Sequence, residues 1–247
     1  MEYLFLALGG AAGGFINGYS GTATALFSLS FFLVVLAPAQ AVAVAAILSV
    51  FSGLQGVWEV RKEVRTHWRR IALMALPGLA GVPLGLMLLE RVNATTLRFL
   101  VAIMLLLYGG YFGFRKVLPA MQGDRLVTSA CVGFVGGVLG GLASLAGALP
   151  SIWFSMFDSP RTQIRALLQM FNVIVLATTA IALGVSGVID SSTLVALCIA
   201  LPVGFVAAHI GIMVFRRVSD TQYRRSLILL CLGLGISMFV TEVVSLV

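Results

Sequence analysis

Neutral polar side chains gather at two glycine-rich interruptions of an otherwise apolar chain, and these groups are the best candidates for binding a ligand. The first interruption, at 17–21, lies in the stretch 10–31; the second, near 140–147, lies in 133–154. A helix that ends in apolar surroundings leaves backbone N–H groups without partners, and the positive end of its dipole attracts anions. Hydroxyl and amide donors beside such an end suit a small oxyanion.

The predicted substrate-binding residues therefore lie at both interruptions and on one turn of the sixth apolar segment. They are Asn17, Gly18, Tyr19, Ser20, Gly21, Thr22, Thr24, Gly140, Gly141, Ser144, Gly147, Ser151, Gln169 and Asn172. The backbone N–H groups of 18–22 and 141–144 are expected to hold the anion. Each residue also has an ordinary interpretation, because membrane glycines commonly serve helix packing and a buried Ser or Thr often bonds to its own backbone.

Charged and titratable groups add three candidates. Arg161 and Arg165, at the start of the sixth segment, are predicted to guide an anion towards the site, although Arg165 also fits an interfacial residue that extends to the membrane surface. His209 is expected to be the only buried group that titrates near pH 7. It is therefore the candidate for proton coupling, with a packing role as the alternative.

The acidic residues argue against other kinds of chemistry. All nine lie at or beyond the ends of the apolar segments. A carboxylate proton relay and a metal-cation carrier are therefore disfavoured, and no metal or cofactor site is predicted. No nucleophile–base pair, His cluster or Cys cluster indicates an enzyme. No phosphate-binding loop for direct use of ATP is present.

The elements that carry these residues are membrane helices. The chain is 60% hydrophobic and only 10% charged, whereas soluble domains contain about 25% charged residues. Apolar runs of about 20 residues, the length that crosses a bilayer, recur throughout. We predict an all-α polytopic membrane protein. The net charge of +7 is assigned to loops that face the cytoplasm, so the bilayer is the expected partner and nucleic acid is not.

The chain contains an internal duplication. At an offset of 123 residues, nine of 22 positions in the two glycine-broken stretches are identical, among them Gly14/Gly137 and Gly18/Gly141. At an offset of 126, a second set of matches pairs Gly78 with Gly204 and similar residues down to Arg98 and Arg224. The predicted repeats are 1–116 and 127–247, joined by a linker at 117–126.

The distribution of Lys and Arg predicts the topology. If each broken segment crosses the membrane once, the 16 basic residues divide equally between the two sides. If each is a hairpin that returns to the same side, 14 of them share one side, as the positive-inside rule requires. Each repeat then has a hairpin and three crossing helices, so the second is inverted. Both termini are predicted to be extracytoplasmic, in the inner (cytoplasmic) membrane of the cell.

The sequence also resembles the TauE/SafE sulfite-exporter family of membrane permeases, also called the TSUP family. The resemblance rests on the two glycine-rich openings, the proline-glycine segment 76–85, and its repeat at 204–211 followed by 216–220. It implies transport of small sulfur oxyanions or organosulfonates such as sulfite, sulfonates or sulfoacetate. Members often carry three glycines and a proline at the hairpin tip. Here Thr22 and Thr24 stand in the first tip, which indicates a changed ligand.

We therefore predict a secondary transporter that moves a small sulfur anion by alternating access between the two hairpins. Inverted repeats with broken helices are typical of such transporters. The alternatives are an anion channel of the same fold, or an intramembrane enzyme or other non-transport component of a membrane complex. Protons are a candidate coupling ion, and a homodimer is a candidate assembly.

Overall fold

The computed structural model describes residues 1–114, 126–154, 156–157, 160–218 and 220–245, and within these it contains helices and no strand. The all-helical prediction is therefore confirmed. The helices are α1 (Glu2–Ser20), α2 (Thr24–Phe32), α3 (Pro38–Glu59), α4 (Arg61–Thr66), α5 (Trp68–Leu89), α6 (Ala94–Phe114), α7 (Leu126–Ala143), α8 (Ala148–Phe154), α9 (Arg161–Val185), α10 (Ser191–Arg217) and α11 (Asp220–Ser245).

Six of these helices are long and apolar enough to cross a membrane: α3, α5, α6, α7, α9 and α10. In α11 a shorter apolar stretch covers Ile228–Thr241. The predicted basic loop at 59–70 contains the short helix α4, which was not expected. The predicted linker at 117–126 falls outside the described residues except for its last position.

Both glycine-broken stretches fold back on themselves as helical hairpins. In the first, a Cβ atom added to Gly13 of α1 would lie 2.8 Å from the Ser28 Cβ of α2. In the second, the Trp153 indole of α8 donates to the Ser129 hydroxyl near the start of α7, at 3.2 Å. Each short helix thus runs back along the long helix that precedes it.

The two interruptions share a left-handed residue at the same position, while the first has a further one at Ala23. Gly21 and Ser144, which are 123 positions apart, both have positive φ values, of 81° and 54°. Their N–H groups donate to the carbonyls of Asn17 and Gly140 at 2.7 and 2.8 Å, which completes the last turn of α1 and of α7. Because an L-residue disfavours positive φ, glycine suits the first of these positions, and Ser144 is the strained counterpart.

The first interruption lies later in the chain than expected. The helix α1 continues through Ser20, so the break covers 21–23 instead of 17–21. The N–H groups at 18–21 and 141–144 are consequently used within the turns of α1 and α7. The Thr22 N–H, the last of the first predicted set, donates to the Ser20 hydroxyl at 3.4 Å. The prediction that these groups hold an anion is wrong, and the first turn of α2 instead provides N–H groups at the tip.

Each long hairpin helix packs tightly against a helix of the other predicted repeat. A Cβ atom on Gly14 of α1 would lie 2.6 Å from the Gly204 Cα of α10, and one on Gly137 of α7 would lie 2.8 Å from the Gly78 Cα of α5. The two contacts join equivalent residues, since the offsets are 123 and 126. Small residues therefore allow the backbones to touch at matching places.

The helices α3 and α10 run in the same direction. At their N-terminal ends, the Gln40 amide donates to Asp190 and to Ser192, each at 2.9 Å. At their C-terminal ends, Arg216 pairs with Glu59. Single crossing of both broken segments would make these two helices antiparallel, so the observed direction agrees with hairpins that return to the same side.

Candidate functional site

The two hairpin tips meet inside the helix bundle. A Cβ atom added to Gly147, in the second tip, would lie 3.0 Å from the Thr22 Cγ2 and 3.4 Å from the Asn172 Oδ1. Thr22 and Asn172 are 2% and 6% exposed. The fold therefore brings three predicted site residues, from α9 and from both interruptions, to one buried point.

Tyr108 of α6 contacts both hairpins at this point. Its hydroxyl lies within hydrogen-bonding contact of the side chains of Thr22 and Ser151. The Ser151 hydroxyl also donates to the Ala148 carbonyl, at 2.8 Å. Tyr108 was not among the predicted residues, because its position in an apolar run gives no sign of what it faces.

Arg165 is buried beneath the first tip. Its side chain is 8% exposed, and its terminal nitrogen donates to the Gly18 carbonyl at 2.8 Å. The guanidinium stacks on Phe215 of α10, 4.5 Å from the ring centroid, and its Nε donates to the Gln169 Oε1 at 3.4 Å. An Arg that extends to the membrane surface would not be buried in this way, so that alternative is wrong.

Arg165 also packs closely against the left-handed turn. A Cβ atom on Gly21 would lie 3.3 Å from the Arg165 Cγ and 3.3 Å from the Gln169 Oε1. Gln169 is 1% exposed and fills the space beside Gly56 of α3. The first tip thus has a positive charge and an amide from α9 directly beside it.

Asn17 lies one turn before the tip and points towards α3. Its side chain is 1% exposed, and its Nδ2 donates to the Ser49 carbonyl at 3.3 Å and to the Ser52 hydroxyl. Its Oδ1 has no hydrogen-bond partner within the described structure. Sequence reasoning missed Ser49 and Ser52. The signal available for them was two hydroxyl residues three positions apart in an apolar segment.

Several predicted residues hold the hairpins together instead of facing the meeting point. The Ser20 hydroxyl lies 2.8 Å from the Ile16 carbonyl oxygen and 2.6 Å from the Thr22 carbonyl oxygen, and its one proton bonds to either of them. The Tyr19 ring stacks on Phe15, with the ring centroids 5.9 Å apart. The Ser144 hydroxyl donates to a carbonyl of α3, at 2.9 Å.

The remaining predicted residues of the hairpins have packing contacts. A Cβ atom on Gly140 would lie 2.7 Å from a methyl group of Val175, and one on Gly141 would lie 3.0 Å from the Leu86 nitrogen. Thr24 is 1% exposed and its Cγ2 faces Gly13. Gly140 and Gly141 allow α7 to lie close to α9 and α5, which is the ordinary packing role of membrane glycines.

His209 does not lie in the interior. It is exposed on α10, while its neighbour Ala208 faces α1 and contacts the position of Gly18. The expectation of a buried titratable group is therefore wrong, because one residue turns a helical position by about 100°. Arg161 begins α9, but its side chain lies outside the part of the chain that the structure describes.

A cavity of about 210 Å³ lies between α3 and α10. Its lining is apolar except for one hydroxyl; the residues are Leu48, Phe51, Ser52, Leu201, Pro202 and Phe205. It offers no charged group to an anion. The described residues likewise hold no cluster of three His, Cys, Asp or Glu side chains that could bind a metal.

The groups at the first tip are of the kinds that pair with small anions in proteins. The first tip combines the Arg165 guanidinium, the hydroxyl of Thr22 and the N–H groups at the start of α2. Their burial strengthens electrostatic attraction, because the effective dielectric constant inside a protein is well below that of water. Arginine also presents its donors in a planar fork that matches an oxyanion.

Comparisons with known proteins identify the family of this chain. A family model described as sulfite exporter TauE/SafE matches residues 6–238. The chain is 28% identical over 181 residues to a probable sulfite/organosulfonate exporter TauE of Cupriavidus necator, covering 71% of this chain and 70% of that protein. No solved structure matches the chain. Since the family model covers nearly the whole chain, this multi-pass membrane protein belongs to the TauE/SafE family of sulfite exporters.

Proposed function

We propose that this protein is a secondary transporter that exports a sulfur oxyanion or an organosulfonate across the cytoplasmic membrane by alternating access. Membership of an exporter family and the name of the Cupriavidus relative support the substrate class. An anion leaving a negative-inside cell gains about 2.3 kcal/mol per charge per 100 mV, so export needs no further energy source.

The observation that carries the proposal is the buried Arg165 beside the first tip. A buried guanidinium costs several kcal/mol in desolvation, and function is a common reason for keeping one inside a membrane protein. One terminal nitrogen of Arg165 donates to the Gly18 carbonyl, three residues before the interruption that separates α1 from α2. The substrate would bind between the tips, beside Arg165, Thr22 and Asn172.

The alternating motion would use the two predicted repeats, 1–116 and 127–247. Equivalent glycine contacts between α1 and α10 and between α5 and α7 support a two-fold related pair, with the second repeat inverted. Both termini would then lie outside the cytoplasm. Movement of one hairpin tip away from the other, at the contact of Thr22 with Gly147, would open the site to one side at a time.

Efflux from proteoliposomes tests this function. Vesicles would be loaded separately with sulfite, thiosulfate, sulfoacetate, taurine, an aromatic sulfonate or chloride, and efflux measured at a set membrane potential. We expect saturable efflux of at least one sulfur anion. Arg165→Gln should slow it at least tenfold and Arg165→Lys less, whereas Lys62→Gln, on the exposed helix α4, should leave the rate unchanged.

Three outcomes would contradict the proposal. Efflux no faster than from protein-free vesicles for every sulfur anion would reject anion transport. Unitary current steps in a planar bilayer would favour the channel alternative. Wild-type efflux by a folded Arg165→Gln protein would place the anion elsewhere.

A further inference from the structure

Three buried oxygen atoms of the first hairpin have no hydrogen-bond partner within the described structure: the Asn17 Oδ1, the Thr24 Oγ1 and the Ser28 Oγ. The three residues are 1%, 1% and 0% exposed. A buried polar atom without a partner costs about 1–3 kcal/mol, so three in one helical hairpin indicate a bound group that supplies the missing contacts.

The orientation of the Asn17 amide is determined by its neighbours. Its nitrogen must face the Ser49 carbonyl, which can only accept, so the Oδ1 is the atom left over. Asn17 follows Gly13 by four residues and therefore lies on the same face of α1. That face meets α2, where a Cβ atom on Gly13 would lie 2.8 Å from the Ser28 Cβ and 3.1 Å from the Thr24 Cγ2.

The three oxygen atoms are neutral, and the chain between Glu2 and Glu59 contains no charged residue. The buried Arg165 guanidinium of α9, at the Gly18 carbonyl, would be balanced by the bound anion. Calcium and magnesium sites are normally built with carboxylates, so a divalent ion does not suit these ligands. An amide oxygen would also repel an anion. We propose that this hairpin binds Na⁺ through Asn17, Thr24 and Ser28. The close approach of α1 and α2 at Gly13 favours a small ion.

The second hairpin does not repeat this site. The positions equivalent to Asn17 and Thr24 are Gly140 and Gly147, which have no side-chain oxygen. The residue equivalent to Ser28 is Ser151, whose hydroxyl donates to the Ala148 carbonyl. Of the two hairpins, as far as the described residues go, only the first has this set of oxygen atoms.

This site rests on the proposed function and adds a bound cation beside the proposed anion. Broken helices of secondary transporters bind Na⁺ through oxygen atoms near the substrate. Here Na⁺ would lie about one turn of α1 from the anion at the tip, and opposite charges at that separation strengthen the binding of each other.

Thermal unfolding in detergent tests the site without any transport substrate. The protein would be heated in NaCl, KCl or N-methyl-D-glucamine chloride at constant ionic strength. We expect Na⁺ alone to raise the Tm with its concentration, by about 4 °C at ten times its Kd. Thr24→Val and Ser28→Ala should abolish the Na⁺-dependent rise.

Ser30→Ala is the matched control, since the Ser30 hydroxyl on the same helix donates to the Leu26 carbonyl at 3.1 Å. It should keep the full rise. The same Tm of the wild-type protein in all three salts would overturn the proposal, whatever the variants do. An equal rise with Na⁺ in Thr24→Val would also overturn it. Neither result bears on anion efflux, which is measured separately.

Discussion

The two hairpins have similar backbone folds but differ in the contacts that their side chains make. Both have a left-handed residue at the same position, and both long helices touch a partner helix through paired glycines. In the first hairpin, however, Asn17 reaches two hydroxyl residues of α3, whereas in the second the equivalent Gly140 meets a methyl group of Val175 of α9. The two copies thus share a scaffold, and at this position only the first copy has a polar side chain.

The residues that α3 and α9 present to the opposite tip differ in the same way. Arg165 of α9 packs on Gly21, and the equivalent pair is Val42 of α3 with Ser144. One contact supplies a buried charge, while the other is a single hydrogen bond to a backbone carbonyl. The candidate site therefore has a buried Arg side chain at the first tip and none at the second. It is asymmetric, although the helices around it are arranged in matching pairs.

The largest expected effect tests whether the scaffolds are equivalent. Gly14→Ala and Gly137→Ala each place a Cβ atom against the backbone of the partner helix, which cannot move without separating the two helices. We expect each to lower the free energy of unfolding by about 3 kcal/mol, measured by denaturation in detergent. Gly110→Ala, where the added atom meets nothing within 4 Å, should be neutral or slightly stabilising.

A smaller effect tests the difference between the tips. Gly21→Ala should destabilise the protein by about 1–2 kcal/mol, because its φ is positive and its Cβ would crowd Arg165. Ser144→Gly should change stability by less than about 0.5 kcal/mol, since relief of the positive φ offsets the lost hydrogen bond to the Val42 carbonyl. Thermal unfolding measures both. A large loss in Ser144→Gly would show that the hydroxyl does more than hold the tip.

The smallest expected effect concerns the end of the bundle where α3 meets α10. The Thr193 backbone N–H, together with the Ser192 and Thr193 hydroxyls, lowers the pKa of Asp190 from 3.8 to about 2. Since the folded pKa is depressed, the stability that Asp190 contributes is complete above pH 3.8 and is lost as the pH falls towards 2. The equivalent position at an offset of 126 is Val64, so this pH dependence belongs to one repeat only.

Asp190→Asn tests that dependence. The difference in Tm between the wild-type protein and the variant should be constant from pH 6 to about pH 4 and should shrink towards pH 2. A difference that stays constant down to pH 2 would mean that Asp190 does not titrate in this range. Because Asp190 is exposed, we expect the whole change in Tm to be small.

The amino-acid sequence by itself determined the helices, the two interruptions and the family. Hydrophobic runs of membrane length are local properties, and glycines that recur at one offset reveal a duplication without any structure. The residues at the tips were also found from type and spacing, and Thr22, Gly147, Gln169 and Asn172 do lie around the junction of α9 with the hairpins.

The tertiary structure alone decided which residues point inward. Arg165 is buried and His209 is exposed, the reverse of what their positions in apolar segments indicated. In a membrane helix every face is apolar, so hydrophobic periodicity does not distinguish lipid from protein neighbours. Small residues decide where the backbones of α1 and α10, and those of α5 and α7, can touch. These contacts determine which side of each of these four helices faces its partner.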